Sequence, residues 1–121
     1  MQKFLARCVT ILALSLAGCA TGASSELRDA WKLMLVEDYA GARDIYQGVL
    51  AEYPNNPYAH LNIGFAYQQL GKIALAREHY EAAIEHGGKA EVTRVVVEGE
   101  VVSKVTTVAD KGRENLKTLP N

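Results

Sequence analysis

The sequence predicts an all-α fold in which two repeated helix–turn–helix units stack and a C-terminal helix caps them. Residues of like character recur 34 positions apart, as do Ala42 with Ala76 and Tyr46 with Tyr80. Within each unit, apolar residues recur at steps of three and four, which is the period of an amphipathic helix. A fixed offset of this length is the signature of a stacked repeat architecture. Three further pairs share the offset: Leu50 with Ile84, Trp31 with Phe65, and Leu27 with Leu61.

The chain begins with residues in the order of a signal peptide. Lys3 and Arg7 supply positive charge, residues 8–16 form an apolar run, and small residues follow. The run is too short to span a bilayer, which needs about 20 apolar residues. An ordinary apolar helix is the alternative interpretation. We predict a leader at residues 1–18 and a flexible tether at residues 19–25.

Leu16-Ala17-Gly18-Cys19 resembles the lipobox of bacterial lipoproteins. The resemblance implies cleavage before Cys19 and diacylation of its thiol, which anchors the chain because more than one acyl chain holds a protein at a membrane. Cleavage at an ordinary signal site is the alternative. In Gram-negative lipoproteins, Asp directly after the cysteine commonly favours retention in the inner membrane. By resemblance to that family, Ala20 predicts the outer membrane, with the chain facing the periplasm. No cofactor is predicted beyond this covalent lipid.

The first unit, residues 26–56, is predicted to hold two helices. One covers about residues 25–37 and the other about residues 39–52, with a turn near Asp38 between them. Pro54 ends the second helix because proline lacks the N–H that a helix interior needs. Since the connection is short, the two helices are expected to run antiparallel.

The second unit, residues 57–88, repeats this arrangement. Pro57 begins it, since proline is tolerated in the first turn of a helix. Gly71-Lys72 separates its two helices, and Gly87-Gly88 ends the second, because glycine is common immediately after a helix.

The second unit resembles the tetratricopeptide repeat family. It reads His60-x-x-Ile63-Gly64-x-x-Tyr67 and then Ala76-x-x-x-Tyr80, where the family has W-x-x-L-G-x-x-Y and A-x-x-x-F. Small residues at Gly64 and Ala76 let the helices approach closely, and tyrosines fill the gaps beside them.

Both units also depart from this pattern. The first unit keeps Ala42-x-x-x-Tyr46 and Pro54, but it has Asp29-Ala30 where Leu-Gly is usual. The second unit has Gly88 where proline is usual. The first helix of the first unit therefore matches the family pattern less closely than the first helix of the second unit does.

The resemblance implies a protein-binding groove along the first helices of the two units. Core packing of Trp31 is the alternative interpretation. Because only Asn62 matches the groove residues by which some members of the family hold a C-terminal carboxylate, binding of that kind is not expected. The predicted groove consists of Leu27, Trp31, Met34, Tyr58, Leu61, Asn62, Phe65 and Gln69.

The last third of the chain has a different composition. Valines are dense in residues 89–106, which predicts either a β-hairpin or a loop. A helix over about residues 105–118, within the final segment 107–121, is predicted to cover the exposed end of the repeats. We also consider that the valine-rich segment lies in the groove and that a partner displaces it.

Composition and spacing argue against several functions. The net charge is −1 and no basic run occurs, so no nucleic-acid binding is expected. His79 and His86 lie seven residues apart and His60 lies on another helix, so solvated histidines are predicted rather than a metal site. The serines lack a nucleophile elbow and Gly87-Gly88-Lys89 lacks phosphate-loop spacing, so no enzymatic activity is predicted.

The sequence therefore predicts a lipid-anchored periplasmic scaffold or assembly factor that binds another envelope protein or a peptide segment of one. Pilus, secretion and outer-membrane assembly machines are the settings that the resemblance suggests. Two alternatives stay open. One is a structural lipoprotein that forms homodimers and has no client, and the other is an accessory subunit of a cell-wall enzyme.

Overall fold

The computed structural model describes residues 12–14, 23–92, 94–97, 100–102 and 105–121, which form five helices and five short strands. The helices are α1 (Ala23–Leu35), α2 (Tyr39–Glu52), α3 (Pro57–Gln69), α4 (Ile73–His86) and α5 (Val108–Leu116). The strands are β1 (Leu12–Leu14), β2 (Glu91–Val92), β3 (Arg94–Val97), β4 (Glu100–Val102) and β5 (Thr106–Thr107). Since consecutive helices pack as two hairpins with a fifth helix beside them, the predicted all-α class is confirmed.

The turns inside the two hairpins have the same geometry. Glu37 and Gly71, which are 34 residues apart, have positive φ angles of 61° and 76°. The amides of Glu37 and Gly71 each donate to the carbonyl of the residue three positions earlier. The amide of the residue that follows each of them donates to the carbonyl five positions before its own, and all four distances are 2.8–3.1 Å. This motif closes a helix with a left-handed residue, a conformation that glycine adopts without strain. Because Glu37 takes it, α1 ends at Leu35 rather than at residue 37 as predicted.

The helix starts are fixed by side chains in the connections. The Asp38 carboxylate accepts a hydrogen bond from the amide of Gly41 at 3.0 Å, and the Asn56 side chain accepts from the amide of Ala59 at 3.0 Å. Such caps satisfy amides that the first helical turn leaves unpaired. The predicted bounds of α2 and the predicted start of α3 at Pro57 are therefore confirmed.

The contact between α3 and α4 depends on small residues, as predicted. A β-carbon at Gly64 would lie 2.7 Å from Cδ1 of Tyr80 and 3.3 Å from the carbonyl oxygen of Ala76. Tyr80 and Ala76 are fully buried, and so is Ala30, which takes the place of Gly64 in the first unit. The absence of a side chain at Gly64 is what allows the Tyr80 ring to pack on the α3 backbone.

Helix α5 packs against α4 and α3, the position predicted for a cap. It begins at Val108 rather than near residue 105, because the Thr107 side chain accepts from the amide of Asp110 and Thr106–Thr107 pairs with β2. A β-carbon at Gly112 would lie 2.9 Å from Cγ1 of Ile84, so close approach also matters here.

Of the two alternatives for the valine-rich segment, the structure has the hairpin, and a third strand lies beside it. β3 pairs antiparallel with β4, with Val95 opposite Val102. The other edge of β3 pairs antiparallel with β1, with Leu12 opposite Val96, so the strand order is β1-β3-β4. β1 lies within the predicted leader, where no strand was expected.

Candidate protein-binding face

The predicted groove residues fall into three classes of exposure. Leu27 and Tyr58 are half-buried, and Gln69 at the end of α3 is exposed. The others have exposed fractions of 1–6% and belong to the core: Trp31, Met34, Leu61, Asn62 and Phe65. We call the surface of α1 and α3 that carries these eight residues the α1–α3 face. In the full chain most of this face is covered.

The middle of α3 has no exposed side. Residues 61–67 are all buried, although a surface helix normally keeps one polar stripe in water. Helices α2, α4 and α5 pack on α3, and β1 lies against both α3 and α1. Among the described strands, β1 makes the extensive contact with α1 and α3, whereas the valine-rich strands β3 and β4 continue the sheet away from it. A short extended segment of the chain itself therefore lies along the first helices of both units.

Two of the predicted face residues tie α3 to neighbouring elements. The Tyr58 hydroxyl donates to the carbonyl of Glu91 at 3.0 Å, which joins the start of α3 to β2. The Phe65 ring meets Tyr39 edge to face, with centroids 6.0 Å apart. The first contact joins α3 to β2, and the second joins α3 to α2.

Asn62 lies on the side of α3 that faces α2. Burial raises the pKa of Tyr46 in α2, and the Asn62 side chain partly counters this effect. Asn62 is 3% exposed, so its amide serves the α2–α3 contact in the full chain.

A histidine pair joins α3 to α4. Nδ1 of His60 lies 3.0 Å from Nδ1 of His79, and Nε2 of His60 lies 2.6 Å from the carbonyl oxygen of Pro54. Because a carbonyl only accepts, Nε2 of His60 carries a proton, and its Nδ1 accepts from Nδ1–H of His79. The His79 ring also stacks on Tyr67 with centroids 5.4 Å apart.

This arrangement favours neutral imidazoles. Burial is the main reason that the pKa of His79 falls to about 4, and the neighbouring His60 lowers it further. Burial likewise lowers the pKa of His60, with the Pro54 carbonyl opposing this effect and His86, whose ring stacks at 6.4 Å, adding to it. The contact between His60 and His79 was not predicted from their spacing in the sequence, because it depends on how α3 packs against α4 at Gly64. Among the described residues, no set of three or more histidine, cysteine or acidic side chains is arranged to hold a metal ion.

A cavity of about 290 Å³ opens at the N-terminal end of the repeats, between the start of α1 and the end of α2. Its walls are largely apolar, and two carboxylates stand among them. The lining residues are Ala23, Glu26, Ile45, Gly48, Val49, Glu52 and Tyr53. None of them belongs to the predicted groove, so the cavity is a separate feature of the first unit.

The predicted lipidation site, Cys19, lies outside the described residues, as does most of the predicted leader. In the part of the chain that is described, none of the helices has the length and hydropathy needed to cross a bilayer. The lipid anchor therefore stays a prediction from residues 16–19.

Comparison with known proteins identifies the repeats. The tetratricopeptide repeat family matches residues 33–96, which is more than half of the chain and includes α2, α3 and α4 completely. No curated protein and no solved structure gives a significant match. The repeated turn motif, the small residues between α3 and α4, and this match agree. The chain belongs to the tetratricopeptide repeat family.

Proposed function

We propose that this protein is a lipid-anchored scaffold or assembly factor of the bacterial envelope, and that it binds an extended segment of another envelope protein on the α1–α3 face. Tetratricopeptide repeats in general bind proteins or peptides and are not catalytic. The observation that carries the proposal is the position of β1: an extended segment already lies against both α1 and α3. A face that holds one such segment has the shape to hold another.

The anchor and the location rest on the lipobox resemblance of residues 16–19. A diacylated Cys19 followed by a short tether would place α1 close to the membrane surface, with the repeats in the periplasm. Ala20 favours the outer membrane in this scheme. The partner would then be a component of an envelope machine such as a pilus, a secretion system or the outer-membrane assembly apparatus.

Replacing the acceptor thiol tests the anchor. We expect Cys19→Ser to move the protein out of the membrane fraction and to abolish incorporation of a labelled fatty acid, because no thioether can form. Cell fractionation and acyl labelling provide the readout, and Cys8→Ser is the matched control that should keep both properties. Unchanged labelling of the Cys19→Ser protein would exclude this anchor.

An added charge on the α1–α3 face tests partner binding. Gln69 is exposed at the end of α3, so Gln69→Arg should leave the core intact. We expect crosslinking pull-downs from envelope fractions to lose the partner by at least about tenfold, since a new charge at a binding surface is costly to desolvate. Ala74→Arg, at an exposed site on α4, is the control and should retain the partner. Equal recovery from both variants would place the binding surface elsewhere.

Self-association without a client is the second candidate. Two exposed aliphatic side chains favour it. Val36, in the connection between α1 and α2, is 72% exposed, and Leu35, at the end of α1, is 48% exposed. Mass measurement across a concentration series separates the candidates, because only self-association predicts a dimer of the purified chain.

A further inference from the structure

The strand β1 has two neighbours, and both would lose contacts without it. It occupies one edge of β3, with Leu12, Ala13 and Leu14 opposite Val96, Val95 and Arg94. It also lies against α1 and α3. Since β4 covers only the other edge of β3, removal of β1 leaves backbone amides and carbonyls of β3 unpaired. Such an edge is a template for another strand.

The helices that β1 lies against are rich in apolar core residues. The α1 and α3 helices contribute some of the best-buried large side chains of the chain, among them Met34, Leu61 and Phe65, with exposed fractions of 1–4%. An open sheet edge beside apolar helices therefore combines two binding contributions, which are main-chain hydrogen bonds and apolar contact.

We propose that the mature protein captures its partner by strand addition: an extended segment of the partner replaces β1, antiparallel to β3 and against α1 and α3. This inference rests on the proposed function, because it requires that the leader is removed. The segment is at least three residues long and carries small or aliphatic uncharged side chains. The chain's own occupant, Leu12-Ala13-Leu14, has that chemistry.

A disulfide lock tests the arrangement in the full chain. With Cys8→Ser and Cys19→Ser as background, Leu12→Cys and Val96→Cys place two thiols on directly opposite residues. Opposite residues of an antiparallel pair are close enough for a disulfide. We expect the bond to form under mild oxidation. Leu12→Cys with Val101→Cys is the control that should not crosslink, because Val101 lies on β4, across β3 from β1. Failure of the first pair to crosslink overturns the proposal.

The probe for binding is a synthetic peptide of residues 10–16 with two lysines added at each end for solubility. It is titrated against the oxidised lock and against a full chain in the same serine background that carries Ala13→Pro, which disables β1 because proline cannot donate to the ladder. We expect the Ala13→Pro chain to bind at least about tenfold more tightly than the lock. A peptide with proline in place of Ala13 should bind neither chain.

Equal binding to the locked and the Ala13→Pro chains, or binding to neither, contradicts strand addition. A dimer of the Ala13→Pro chain would make a second copy the occupant and would equally overturn a partner strand. These measurements use purified protein, so they do not depend on the envelope location. If the Gln69→Arg pull-down loses its partner while the peptide fails to bind, the scaffold function stands and strand addition does not.

Discussion

Replacing Gly64 with valine is expected to lower the free energy of unfolding by about 3 kcal/mol, the upper range for overpacking a well-filled core. A β-carbon there would meet the Tyr80 ring at 2.7–2.8 Å and the Ala76 carbonyl oxygen at 3.3 Å. Tyr80 is fully buried, and its hydroxyl donates to Gln68 at 2.7 Å, so the ring has little freedom to move aside. Urea unfolding followed by circular dichroism measures the loss.

Gly48→Val is the matched control for this prediction. Gly48 lies on α2 with nothing within 4 Å of its would-be β-carbon, so the same substitution adds no clash. We expect its stability to stay within about 0.5 kcal/mol of the wild type, since valine has a slightly better helix propensity than glycine. A Gly64→Val protein as stable as the Gly48→Val protein would show that α3 and α4 do not approach this closely.

The histidine pair predicts a loss of stability in acid. Both His60 and His79 have folded-state pKa values below the ordinary 6.5, and that of His79 is about 4. For a base with a lowered folded pKa, the unfolded chain takes up protons first. The stabilisation is therefore complete above about pH 6.5 and declines as pH falls toward 4. Since His79 is half-buried, the discounted loss is roughly 1–2 kcal/mol.

A double variant isolates this contribution from general acid effects. The groups facing the pair are His86 on α4, Tyr67 on α3 and the Pro54 carbonyl of the α2–α3 connection, and His86 itself lies 3.8 Å from the carboxylate of Glu85. We expect His60→Gln/His79→Gln to lose clearly less stability than the wild type between pH 7 and pH 4.5. His86→Gln should keep most of the decline. The same decline in the wild type and the double variant would remove the pair as its cause.

The repeats could be predicted from sequence because local residues define them. Asp38 and Asn56 cap helices, Pro57 fits only a first turn, and the offset of 34 residues aligns equivalent positions. Gly64 with Tyr80 then fixes how one helix lies on the next. Each of these signals acts over a short stretch of chain or over one hairpin, so the pattern alone is sufficient.

The strand pairings and the histidine pair could not be predicted in the same way. β1 pairs with residues 80 to 84 positions away, and an apolar run carries no indication of a distant partner. His60 meets His79 because α3 lies against α4 in a register that the histidines do not set. From the sequence we considered that the valine-rich segment lies in the groove, whereas the strand that lies against α1 and α3 is β1, from the predicted leader.

Photo-crosslinking in cells tests the central claim, that the α1–α3 face binds a partner protein, most directly. A photoreactive amino acid replaces Gln69 on this face or, as the control, Ala74 on α4; both positions are exposed. If the α1–α3 face binds a partner, we expect a discrete adduct with one envelope protein from position 69 and none from position 74. An adduct from position 74 alone, or the absence of any adduct from position 69, would contradict it.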